Sequence, residues 1–189
     1  MKNIKNNQGT RLAIALICIF FAPVFQGCEK SADHHEKKQK GYILKPREGE
    51  ILFEDIANGL SILKASPETG TRGSIMIYDE MSTNSTSGIH YHVESDELFY
   101  VLEGNGKMLV GDMEENIGPG DFVFVPAGED HRITSGTEDQ LRVVYFMEKP
   151  GLADQFREEA RLELDRKKIT VEEFNKIVEK YGSVYKTFD

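Results

Sequence analysis

Between residues 42 and 148 the chain is a succession of short runs rich in β-branched and aromatic residues, each closed by Gly, Asn, Asp or Pro. That punctuation limits the fold more than any other feature does, because closely spaced short strands form antiparallel sandwiches or barrels. The spacing predicts strands over 51–55, 60–64, 74–80, 97–103, 107–110, 122–125, 131–134 and 141–147. Leu98-Phe99-Tyr100-Val101-Leu102 and Phe122-Val123-Phe124-Val125 are apolar on both alternating faces, so both faces call for cover. One face would line a barrel interior. The other would pack on a helix or a second subunit, which leaves a homodimer open.

The ends of the chain read differently. Lys2, Lys5 and Arg11 precede an apolar run over 12–25 and then Gln26-Gly27-Cys28, the order of a secretory signal peptide over 1–27. The run is shorter than the ~20 residues of a membrane span and is broken by Pro23, so a retained transmembrane helix fits less well. Gly27 before Cys28 resembles a bacterial lipobox, although Phe25 and Gln26 depart from its usual Leu and small residue. That resemblance implies lipidation at Cys28 and a lipid-anchored or periplasmic protein of the cell envelope. The only other cysteine, Cys18, lies in the leader, so disulfides contribute nothing to the body of the protein. Residues 28–41 read as a flexible tether in which His34 and His35 are incidental. Over 150–189 the pattern turns helical: Phe156, Ala160, Leu162 and Leu164 are spaced among charges as far as Lys168, and Thr170 with Glu173 forms a capping box for a second helix. These helices most simply pack on the outside of the barrel; a lid over the site or a dimer contact is the alternative.

The net charge of -9 becomes about -12 once the three cations of the leader are removed. Such a surface does not hold nucleic acid through its phosphates, and an anionic ligand would need a local positive centre.

After the tether only three histidines remain: His90, His92 and His131. On a strand, residues two apart share a face, so His90 and His92 present two imidazoles together. Glu97 follows at an odd offset and would face the other way unless the residues between bend the chain. His131 comes after the turn Pro126-Ala127-Gly128 and opens another strand. Three imidazoles with one carboxylate suit one divalent transition ion (Fe, Mn, Co, Ni, Cu or Zn) and poorly suit Ca or Mg. On an octahedral ion, four protein ligands leave open positions for water, dioxygen or a substrate oxygen. Phe99 and Val101, on the strand face of Glu97, and Ile133, on that of His131, are expected to surround the ion with apolar surface. Met76 and Tyr78 would join them only if their register points inward. Gly104-Asn105-Gly106 and Gly118-Pro119-Gly120-Asp121 read as structural turns.

The pattern His90-x-His92-x4-Glu97-x6-Gly104, followed by Gly120-x5-Pro126-x-Gly128-x2-His131, resembles the two motifs of the cupin superfamily. Asn84 stands where the first motif often begins with Gly, and Ser135 where the second often ends with Asn. The resemblance covers about 51–147, and the helical tail is similar to that of single-domain cupins related to quercetin dioxygenases. It implies an all-β double-stranded β-helix, a jelly-roll barrel with a metal in its mouth. It also implies a metal-dependent, quercetinase-like dioxygenase acting on a small organic molecule, with Glu97 either ligating or accepting a proton. A non-catalytic ligand-binding or sensing domain and a metal-assisted isomerase or sugar-modifying enzyme use the same shell and stay open. A chain exported unfolded acquires its metal outside the cytoplasm, where the affinity order favours Cu or Zn.

Overall fold

The strand runs form where side chains alternate between a barrel interior and its outside. The computed structural model describes residues 40–55, 59–149, 151–164 and 166–189. The segment 1–39, with the leader, Cys18, Cys28, His34 and His35, lies outside the described residues. Two antiparallel sheets face one another. The first has the order β1(Glu50–Asp55), β2(Gly59–Ala65), β3(Ile75–Met81), β10(Leu141–Met147), β5(Glu97–Glu103), β8(Phe122–Val125). The second has the order β11(Ser183–Tyr185), β4(His90–His92), β9(His131–Ser135), β6(Gly106–Val110), β7(Met113–Ile117). This is the double-stranded β-helix, with the apolar core between the sheets.

Alternation assigns the inner face. In β10 the buried residues are Leu141, Val143, Tyr145 and Met147, and in β5 they are Glu97, Phe99 and Val101. All of these but Glu97 join Leu63, Ile75, Ile77, Met108, Val125 and Ile133 in one continuous core. In β3 the inward parity belongs to Ile75, Ile77, Asp79 and Met81, so Met76 and Tyr78 point away from the interior. Tyr78 instead packs outside with Leu60, Ile62 and Val144, where its hydroxyl donates to Glu80 Oε1 at 2.7 Å. The expected cover over the outer face of β5 and β8 is absent among the described residues: Tyr100, Leu102, Phe122, Phe124 and Phe146 are exposed.

The two departures at the motif ends have local reasons. Asn84 adopts φ +59°, the left-handed conformation that Gly takes at no cost and Asn tolerates best among other residues. Ser135 Oγ donates to Ser82 O and accepts from Ser85 N, tying the same loop to β9. At Gly104, with φ +78°, an added Cβ would lie 2.1 Å from Gln140 O, so the hairpin admits no side chain there.

The tail corrects the sequence reading. α1(Gly151–Arg161) stops well short of Lys168, because Glu163 turns left-handed at φ +50° and Leu164 N bonds back to Glu159 O. α2(Val171–Val178) starts at the expected capping box, with Glu173 N donating to Thr170 Oγ1 at 3.2 Å and Thr170 N to Glu173 Oε2 at 3.0 Å. The chain then returns as β11 and pairs with β4, a strand the sequence reading missed along with β7. Leu152 and Ala153 of α1 enter the barrel core, and Leu152, Phe156 and Ala160 line its cavity. The first helix therefore covers the mouth and does not lie on the outer wall.

Candidate metal centre

β4 belongs to the second sheet and β5 to the first, so the chain crosses the barrel between His92 and Glu97. That crossing solves the odd offset: Glu97 faces the imidazoles from the opposite sheet. Two hydrogen bonds from backbone amides hold the crossing, Gly128 N to the His92 carbonyl at 2.8 Å and Ala127 N to the Asp96 carboxylate at 2.8 Å. His131 lies directly across from His90 in the ladder between β4 and β9. The ring centroids of His90 stand 4.2 Å from those of His131 and 5.1 Å from those of His92. One ligand atom from each of His90, His92, Glu97 and His131 lies within 4.8 Å of the others, and all four residues are buried.

Whether these residues fit a metal is decided by what their polar atoms do without one. His90 Nδ1 lies 3.1 Å from Gly88 O, His131 Nδ1 lies 3.1 Å from Glu129 O, and His92 Nδ1 lies 3.0 Å from Ser183 Oγ. A carbonyl can only accept, so Nδ1 of His90 and His131 carries the proton and a neutral ring presents Nε2 as a lone pair. His131 Nε2 and His92 Nε2 stand 2.9 Å and 3.2 Å from Glu97 Oε2, yet none of these three buried atoms makes an aligned hydrogen bond. Buried polar atoms without partners are costly, and convergent ones with their outer nitrogens already satisfied are the pattern of ligands. The donor set fits a divalent transition ion.

Electrostatics treat these groups differently. Burial, reinforced by the neighbouring His131 and His92, pushes the His90 imidazole well below its ordinary range, which keeps it neutral. Burial alone would raise the Glu97 carboxyl, but polar contact with His131 and His92 outweighs it and holds Glu97 below the usual carboxylate range. Burial is the largest single influence on His131 and lowers it, but its contacts with Glu97, Glu129 O and Asp130 together leave the imidazole raised.

A cavity of about 520 Å³ adjoins the cluster and is lined by His90, Glu97, Phe99 and Ile133 among others. Val101 does not line it; this side chain is wholly buried in the core, one row further along the strand than Phe99. Three residues that the sequence reading missed also face the cavity: Ser61, Asp79 and Tyr145. Asp79 shares the parity of Ile75, Ile77 and Met81, but with Glu80 beside it in Ile75–Met81 the sequence does not say which of the two charges faces inward. Burial pushes its carboxyl up to about 7, against the hydroxyls of Ser61 and Tyr145 that bond to it. The tail supplies two further missed residues. Ser183 meets His92, and Tyr185 stacks on His90 with centroids 4.7 Å apart and planes 8° apart.

Residues 78–147 match the family model described as a cupin domain. The chain is 30% identical over 117 residues to quercetin 2,3-dioxygenase of Bacillus subtilis, which covers 61% of this chain and 33% of that relative. It is 29% identical over 116 residues to acireductone dioxygenase of Rhodopseudomonas palustris, covering 56% of this chain and 70% of the relative. The chain thus spans only about a third of the first relative's length. Among solved structures, a predicted oxalate decarboxylase from Thermotoga maritima superposes with a TM-score of 0.52 at 21% identity, over 57% of this chain and 99% of that one. KdgF from Halomonas superposes with a TM-score of 0.50 at 17% identity, over 58% and 96%. At these identities the superpositions speak for the fold alone.

Two outcomes follow from the geometry. An unfolded aspartate ionises near 3.8, whereas Asp79 does so near 7, so the folded protein holds that proton more tightly and Asp79 costs increasing stability as pH rises between those values. The melting temperature of Asp79→Asn, measured against wild type, should gain more at about pH 7.5 than at about pH 4; an equal gain at both would contradict the burial of the charge. Ser183→Ala should weaken metal binding by about 10–100-fold with the fold intact, read by titration calorimetry beside circular dichroism.

Proposed function

We propose that the chain, of which residues 78–147 match the cupin domain model, is a metal-dependent dioxygenase of the cupin superfamily acting on a small organic molecule. The observation that carries this reading is the convergence of four buried ligand atoms, three of them without hydrogen-bond partners, beside a cavity of ligand size. The names of the two dioxygenase relatives support the reaction class. His90, His92, Glu97 and His131 would hold the ion. Bound there, a divalent transition ion supplies Lewis acidity and, if redox-active, one-electron chemistry with dioxygen.

The chain's own residues do the rest. Phe99 and Ile133 keep one wall of the cavity apolar and exclude water from the reacting end. Glu97, held ionised, would ligate the ion and accept a hydrogen bond from an incoming hydroxyl. Phe156 and Ala160 of α1 close the cavity from the tail side.

Metal analysis of wild type beside His92→Ala is the first test: wild type should retain close to one ion per chain and the variant should lose most of it. Metal-loaded wild type should then consume oxygen with a flavonol or an acyclic enediol, and mass spectrometry should show oxygen incorporated into the product. A product of unchanged mass would replace this reading with an isomerase, and ligand-dependent thermal stabilisation without turnover would replace it with a binding domain. The affinity order favours Cu and Zn outside the cytoplasm, and only Cu of these two is redox-active, so oxygen uptake should track copper content.

We also propose that the protein works in the cell envelope, anchored through a lipid on Cys28. The order of basic, apolar and Gly27-Cys28 segments supports this. Expressed in a bacterium, wild type should sediment with membranes and Cys28→Ser should appear in the soluble fraction; an unchanged distribution would remove the anchor.

A further inference from the structure

The cavity has a second polar pole that the metal reading does not use. Ser61 of β2 lies directly across from Asp79 of β3, and Tyr145 of β10 sits one inward row nearer the imidazoles. Ser61 Oγ donates to Asp79 Oδ1, the Tyr145 hydroxyl bonds to the same carboxylate, and all three residues line the cavity. By register, Asp79 is level with Val101, two strands across and four residues along from Glu97, roughly 15 Å away between backbones. The wall between the poles is apolar, with Phe99 and Val143.

A carboxylate offers about four acceptor positions, of which the two hydroxyls engage two. Asp79 is only half-buried, and the space it meets is the cavity. A purely structural network on the inner face would be sealed in the core, as Val101 is; this one is open to whatever fills the cavity.

We propose that Ser61, Asp79 and Tyr145 form a subsite for a hydroxyl group at the far end of the ligand, whose near end approaches His90, His92, Glu97 and His131. The ligand is then a small molecule with oxygen donors at one end, an apolar middle and a hydroxyl at the other. A hydroxyl suits the subsite because it donates to Asp79 and can accept from a neighbouring hydroxyl in turn, whereas an ammonium group can only donate. The inference rests on the metal reading for the placement of the near end alone.

The probes are 3-hydroxyflavone and 3,4′-dihydroxyflavone, which share a chelating end and differ by one hydroxyl at the far end. Each is titrated calorimetrically into metal-loaded wild type, Asp79→Asn, Asp79→Leu and Ser61→Ala, with metal content measured on every sample. In wild type the extra hydroxyl should tighten binding by about two- to tenfold, as expected for one hydrogen bond. That preference should shrink in Asp79→Asn and Ser61→Ala and vanish in Asp79→Leu, while metal content stays at the wild-type value. The subsite is overturned if wild type shows no preference, if Asp79→Leu keeps it, or if metal-loaded wild type binds neither probe. A wild type that takes up no metal overturns the metal reading and this inference with it, and the elemental analysis separates the two failures.

Discussion

The structure turns on an unfavourable arrangement: four polar side chains driven into one buried point, with Glu97 Oε2, His92 Nε2 and His131 Nε2 left without hydrogen bonds. Each unpartnered buried polar group costs about 1–3 kcal/mol, so a core evolved for stability alone would fill this position with aliphatic residues. The rest of the barrel accommodates that cost. The crossing from β4 to β5 exists to bring a carboxylate from one sheet against imidazoles from the other, and the loop bonds from Gly128 and Ala127 keep that crossing tight. Gly88 O and Glu129 O then take the outer nitrogens, so the rings of His90 and His131 cannot swing toward any other partner.

The tail is bound to this point and not merely attached to the barrel. β11 adds an edge strand to β4, which places Ser183 under His92 and Tyr185 flat against His90. Tyr185 is in turn held by the small core of Phe174 and Val178, with Arg166 lying over the rings of Phe174 and Tyr185 at 4.9 Å. α2 therefore acts on the imidazoles through Tyr185, and α1 acts on the cavity through Phe156 and Ala160. One segment supports the ligands and closes the space in front of them, so loosening it would disturb both.

Much of this was legible in the sequence because it depends on local rules. Two histidines at i and i+2 share a strand face wherever the strand lies, and Glu97 at an odd offset demanded a bend that the register supplies as a change of sheet. The Thr170 and Glu173 pair located a helix start because a capping box is a short-range bond pattern. What escaped were features set by long-range parity and by pairing. Whether Tyr78 or Asp79 faces inward depends on the register of β3 against β10, which no local pattern carries, and Val101 proved too deep for the cavity although it shares the parity of Phe99. The pairing of Ser183–Tyr185 with His90–His92 joins residues about ninety positions apart, and a three-residue strand is too short to announce itself. The helical spacing as far as Lys168 does not reveal the end of α1, because Glu163 takes a left-handed conformation that usually belongs to Gly.

Two of the carboxylates that face the cavity, Glu97 and Asp79, are separated in character by their surroundings. Glu97 meets imidazoles and is held ionised; Asp79 is bonded by the hydroxyls of Ser61 and Tyr145, and burial pushes it up to about 7. The charge of Glu97 raises Asp79 further, so the two are coupled across the cavity, and burial with both charges nearby keeps the Tyr145 phenol protonated between them. The cavity is thus polar at each end for a different reason, ligand-like at the imidazoles and acceptor-rich at Asp79. A symmetric or wholly apolar molecule would leave one of those ends dehydrated without recompense, and that asymmetry selects an occupant with unlike ends lying along the barrel.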